Sequence, residues 1–193
     1  MVKLARFRKT AEKYCTDPVV NLLAKTGVTP NALTWFGFLI AVGAAVLAAL
    51  GYMLAAGLVL LFGSYFDMLD GSLARKTGKV SRFGEVLDST LDRLSEGVLL
   101  IGLLYWFSVV GSTLGVVLAG FTLLSSLVVS YIRAKAEIMK LECTEGLFTR
   151  PERVIVLAIG LLINQVVIAL AVVAAFSAFT VGQRLYHVWR QLK

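Results

Sequence analysis

Residues Asp67–Arg93 read DMLDGSLARKTGKVSRFGEVLDSTLDR, four aspartates and five lysines or arginines set between long apolar runs. Acids placed beside membrane-grade sequence need a reason, because a bare aspartate at the centre of a membrane helix costs roughly 2.5–3.5 kcal/mol on insertion scales. At about 100° per residue, positions three or four apart share one face of a helix. Asp67, Asp70, Gly71 and Ala74 make one stripe, and Gly84, Asp88 and Asp92 make another. The link at residues 77–81 is short, so the two helices are antiparallel neighbours whose acid stripes can face each other. Four clustered carboxylates repel, and hard oxygen donors of this kind suit Mg²⁺ or Mn²⁺. Two such ions would balance the four negative charges and could clamp attacking and leaving oxygens in phosphoryl chemistry. The blander account, ion pairing with Arg75, Arg82 or Arg93, does not require two aligned stripes.

The rest of the 193 residues supports a membrane setting. Hydrophobic residues make up 58% of the chain and mean hydropathy is +0.82, above the roughly 45–50% apolar content of soluble domains. Three stretches, 32–66, 97–132 and 154–183, contain no Asp, Glu, Lys or Arg. Each is too long for one span of about 20 residues and fits most of a helical hairpin. We therefore expect an all-α integral membrane protein with helices near 31–51, 54–77, 82–108, 112–140, 150–164 and 166–190. These six transmembrane helices form one bundle, 31–190, within a single domain, 1–193. Residues 1–30 form a juxtamembrane arm, in which Leu4, Phe7, Ala11 and Tyr14 recur at helical spacing among basic residues. That pattern suits an N-terminal amphipathic helix lying in the interface; Asp17-Pro18 breaks it, and a second short piece runs to about Lys25. No secretory signal with a cleavage site is visible.

Charge fixes the expected orientation. All 19 Lys and Arg lie in the arm, in 75–93, in 133–153 or from Arg184 onward, whereas the hairpin tips near Gly51, Gly111 and Asn164 are uncharged. The positive-inside rule places the charged ends, both termini and the acid stripes at the cytoplasmic side of the cell membrane. Cys15 and Cys143 then face a reducing compartment and read as free thiols. A net charge of +7 favours anionic lipid headgroups over nucleic acid in so apolar a chain. Tyr105 and Trp106 fall where an outer aromatic belt is expected.

Written as a pattern, the opening stretch is D-x-x-D-G-x-x-A-R-x8-G-x3-D-x3-D. It resembles the signature of the CDP-alcohol phosphatidyltransferase family at every fixed position, over residues 67–92. The resemblance implies that an acceptor hydroxyl attacks the β-phosphorus of a CDP-linked lipid, forming a phosphodiester and releasing CMP. It implies that Asp67, Asp70 and Asp88 bind two divalent ions (Mg²⁺, with Mn²⁺ possible), and that Asp92 binds one and acts as the catalytic base. Gly71, Ala74, Arg75 and Gly84 would surround the cytidine diphosphate of CDP-diacylglycerol or CDP-archaeol. Ser81 and the TPNA segment, with Pro30, Asn31 and Ala32, resemble further nucleotide contacts; Pro30 and Asn31 read equally well as a plain helix start. Family members resembling this chain are homodimers.

The acceptor is less sharply written. SYIRAKAE and RPER resemble the inositol-phosphate branch of the family, with bacterial phosphatidyl and archaeal archaetidyl members, although arginine and lysine exchange places. On that resemblance Ser130, Arg133, Lys135, Arg150 and Arg153 would hold the phosphate of inositol 1-phosphate. Glycerol 3-phosphate fits the same cations, and ordinary positive-inside charge explains them without a ligand. Glu96, three residues from Arg93, reads as a local ion pair or as a pocket residue. A transporter is the rival from another class, but it would more naturally carry acids at mid-membrane and repeated halves with broken helices.

Overall fold

The computed structural model describes residues 17–141, 146 and 148–193. The expected amphipathic helix before Asp17, and both cysteines, lie outside the described residues. A helix over 17–26 (α1) is followed by α2 (Pro30–Ala49), α3 (Met53–Thr77), α4 (Arg82–Val109), α5 (Thr113–Ile138), α6 (Arg150–Leu162) and α7 (Val166–Gln191). No strand occurs among the described residues.

Local chemistry sets the boundaries. At the α3–α4 link Gly78 takes φ +67°, and the Lys79 N–H returns to the Ala74 carbonyl at 3.0 Å. That left-handed ending is open to glycine and costly for a residue with a Cβ. α4 restarts at once, with Ser81 Oγ accepting the Gly84 N–H at 3.0 Å. α6 opens on a capping box: the Glu152 carboxylate takes the Thr149 N–H at 2.9 Å and the Thr149 hydroxyl as well, with Pro151 in the first turn.

Among the described residues, four helices, α2, α3, α5 and α7, are long and apolar enough to cross a bilayer. The other two differ from the six-span expectation for separate reasons. α4 is 28 residues long but carries Asp88, Asp92, Arg93 and Glu96. α6 has only 13 residues, about 20 Å at 1.5 Å per residue, against a hydrocarbon core of about 30 Å. The chain is thus an all-α membrane protein with four candidate spans among the described residues.

Chain contacts divide the molecule into two compact units, and α2, α3 and α4 each contribute to both. The first comprises Met1–Ile40 and Phe62–Leu94; its core joins Val20 of α1, Leu33 of α2, and Leu69 and Leu73 of α3. The second comprises Ala41–Leu61 and Ser95–Lys193. Its core runs from Ala44 and Ala48 through Leu99, Leu100 and Leu103 to Leu157, Leu161, Leu170 and Val173. Trp106 is half-buried near the C-terminal end of α4. A Cβ on Gly51 would fall 2.5 Å from its ring, so Trp106 packs over the α2–α3 turn while Tyr105 stays exposed.

Candidate active site

Asp67, Asp70, Asp88 and Asp92 all fall in the first unit. Asp70 is the most enclosed, 4% exposed, whereas Asp67, Asp88 and Asp92 are half-buried. Asp70 is within electrostatic reach of Asp67 on its own helix and of Asp88 on α4, so acids from the two stripes meet. The Gly71 N–H donates to Asp70 Oδ1 at 2.5 Å, while Oδ2 is buried without a partner. Thr34 of α2 lies against the same carboxyl. Its hydroxyl also stands 3.1 Å from the Pro30 carbonyl, so it has two acceptors within reach.

The convergence is less tight than the stripes suggest. Among the described residues, no three acidic, histidine or cysteine side chains stand together as ready-made metal ligands. Asp67, Asp88 and Asp92 are each engaged by neighbouring groups. Mutually repelling carboxylates turn toward whatever donors they can reach, so helix register brings them to one region without closing them on one point. The residues nonetheless fit a divalent cation. The donors are hard oxygens, and a buried carboxylate oxygen lacking any partner is a cost that a cation removes.

Beside the acids, two helix starts come together. Thr29 Oγ1 accepts the Ala32 N–H at 3.2 Å and caps α2, so the helix-start reading of TPNA is realised. A Cβ on Gly84 would fall 3.0 Å from Ser81 Oγ and 3.1 Å from Asn31 Oδ1. Pro30 is buried, Asn31 half-buried, and Ala32 and Ser81 exposed. The Arg75 side chain folds back along α3, with Nη2 on Ser72 Oγ at 3.1 Å and Nη1 3.4 Å from where a Gly71 Cβ would stand. Ala74 is half-buried between them in sequence. Paired N-terminal ends and an exposed cation beside a glycine form a surface suited to phosphate.

The second unit holds the five residues expected for an acceptor phosphate, and it treats them unequally. Ser130 donates to the Ser126 carbonyl at 3.1 Å. Arg133 pairs with Glu137 one turn on, at 2.8 Å and exposed. Lys135 is exposed and lies two residues from Arg133, about 200° around the helix, so these two cations do not share a face. Arg150 is half-buried and engaged. Arg153 is only 1% exposed and grips Glu96 with two bonds, Nε to Oε1 at 2.6 Å and Nη2 to Oε2 at 2.7 Å. This corrects the local pairing expected for Glu96: Arg93 instead donates to the Ser89 carbonyl.

Arg184 was grouped with the cytoplasmic tail, yet it is buried, with Nη1 on the Val129 carbonyl of α5 at 2.6 Å. Neither this bond nor Glu96–Arg153 carries a sequence signal, since the partners are 55 and 57 residues apart.

Residues 27–182 match the CDP-alcohol phosphatidyltransferase family, a segment that contains both acid stripes. The chain belongs to that family. This phosphatidyltransferase is 35% identical over 196 residues to an archaetidylinositol phosphate synthase of Methanothermobacter thermautotrophicus, covering 98% of this chain and 96% of the relative. The crystal structure of a phosphatidylinositol phosphate synthase of Mycobacterium tuberculosis with CDP-DAG bound superposes with a TM-score of 0.84 at 36% identity, covering 90% of this chain and 93% of that one. A second structure of the Mycobacterium tuberculosis enzyme, in complex with manganese and citrate, also gives 0.84, at 35% identity over 90% and 88% of the two chains. The chain is therefore an enzyme, a phosphotransferase of phospholipid synthesis.

Proposed function

We propose that this phosphatidyltransferase moves a phosphatidyl or archaetidyl group from a CDP-linked lipid to the hydroxyl of inositol 1-phosphate, yielding phosphatidylinositol phosphate or its archaeal analogue and CMP. The observation that carries the reading is the acid ladder on α3 and α4, with the buried, donorless Asp70 Oδ2 at its centre. The inositol acceptor is supported by relatives of that name, similar over nearly the whole chain.

Asp67, Asp70, Asp88 and Asp92 would hold the divalent cations, two Mg²⁺ or Mn²⁺, and the manganese-bound relative supports a metal of this kind. Such ions neutralise a diphosphate and stabilise the departing CMP. The protein's own part is positioning and proton transfer. Asp92 takes the proton of the attacking hydroxyl. Gly71, Ala74, Arg75 and Gly84 surround the nucleotide with Ser81, Pro30, Asn31 and Ala32, glycine allowing close approach and Arg75 meeting phosphate. Ser130, Arg133, Lys135 and Arg150 receive the acceptor's phosphate. Arg153, held by Glu96, is the fifth residue assigned to that set. We place six crossings in the membrane, with both termini and the site cytoplasmic, and a homodimer as the working unit.

The deciding experiment supplies purified protein with CDP-diacylglycerol or CDP-archaeol and Mg²⁺. Inositol 1-phosphate, glycerol 3-phosphate, inositol and serine are offered in turn, and CMP release is scored. Release with inositol 1-phosphate alone is expected; preference for glycerol 3-phosphate would transfer the enzyme to the phosphatidylglycerophosphate branch.

A further inference from the structure

Within the first unit, α2 and α3 lie side by side with matched spacing. Thr34 and Gly37, three residues apart on α2, stand against Asp70 and Asp67, three residues apart on α3. A Cβ added to Gly37 would fall 2.5 Å from Asp67 Oδ1, so the carboxylate occupies the volume that any other side chain would need. The next nearest atoms are Asp67 Cγ and the Gly63 carbonyl oxygen, both at 3.8 Å, an ordinary van der Waals distance.

The usual explanation for a glycine on a membrane helix is close helix packing. It accounts for Gly63, whose added Cβ would meet Ile40 at 3.1 Å and the Gly37 carbonyl at 3.6 Å. It does not account for Gly37. Once the carboxylate is set aside, a methyl group fits there without conflict.

We propose that Gly37 is a positioning residue for the metal-binding acids, keeping open the place taken by the Asp67 carboxylate. This rests on the reading of Asp67 as a ligand to a divalent cation. The physical consequence separates fold from site. In Gly37→Ala the obstructed atom is the tip of a side chain, which can swing aside at little cost to the helices. Alanine also favours a helix over glycine. The protein therefore stays folded while Asp67 loses its station beside Asp70.

The test titrates Mn²⁺ into purified full-length protein without substrates, following free Mn²⁺ by electron paramagnetic resonance, with thermal melts alongside. Gly37→Ala should weaken Mn²⁺ binding about 10-fold or more, the scale of losing a group that orients a ligand, with an unchanged or higher melting temperature. Gly43→Ala, on the same helix with nothing within 4 Å of the new methyl, should leave Mn²⁺ binding unchanged. Gly63→Ala should lower the melting temperature and disturb Mn²⁺ binding much less than Gly37→Ala does. Wild-type Mn²⁺ affinity in Gly37→Ala would overturn the role of Gly37 while leaving the ligand reading of Asp67 intact. Equal losses of stability and binding in Gly37→Ala and Gly63→Ala would reduce Gly37 to packing. A wild-type protein that binds no Mn²⁺ would remove both the ligand reading and the role built on it.

Discussion

Asp92 and Asp70 have different proposed roles, and their surroundings differ. Asp70 is sealed, with one oxygen lacking any partner, so it suits a cation that stays. Asp92 is half-buried on α4, which is compatible with the base proposed above. Asp92→Asn should therefore abolish CMP release while CDP-lipid binding, measured by titration without acceptor, is largely retained; near-normal turnover would remove its role as base. Glu96 and Arg153 present a different balance. Removing one partner of a buried pair strands the other charge, at about 3–5 kcal/mol, whereas replacing both by apolar groups can be neutral. Glu96→Ala should lower the melting temperature sharply, and Glu96→Leu combined with Arg153→Met should recover most of it. Neutralising Lys135, which is exposed, should raise KM for the acceptor far more than KM for the CDP-lipid. Equal rises would remove Lys135 from the acceptor pocket.

The helices carry their acids in register only because the link between α3 and α4 is short and has a defined exit. Gly78 at φ +67° and the Ser81 cap set where α4 begins, and hence which face of it meets α3. Gly78→Val should cost about 1–2 kcal/mol for the left-handed position, seen as a lower melting temperature, with Mn²⁺ binding weakened as the stripes lose alignment. α6 depends on its first turn. Thr149→Ala removes the cap and should cost about 1 kcal/mol, loosening the helix that delivers Arg153 to Glu96. The boundaries of α2 to α7 were legible to within two residues, because glycine, proline and capping residues act locally. The Trp106 contact with Gly51 was not, since it joins the ends of different hairpins.

On the scale of the molecule, α4 and α6 stand apart from the four apolar helices, one because of its charge and the other because of its length. A short helix can cross if the membrane thins or flanking residues reach the interface, at a modest cost per ångström. Six crossings require Gln165, at the α6–α7 tip, to face outside. In a background with Cys15 and Cys143 changed to serine, Gln165→Cys should react with an impermeant maleimide added to intact cells, while Lys193→Cys should not. Labelling of both from the same side would overturn the topology. The phosphatidyltransferase reading came from the resemblance of residues 67–92 to a family signature; composition, the uncharged stretches and the spacing of the four aspartates were enough, with no structure, to determine an all-helical membrane protein with two acid stripes. Those properties follow from helical periodicity and the cost of charge in hydrocarbon, and both act along a single segment. Only the tertiary structure decided that Asp70 is the enclosed acid, that Gly37 makes room for Asp67, and that Glu96 claims Arg153 from 57 residues away. Contacts between segments depend on helix approach and side-chain direction, which local spacing does not encode.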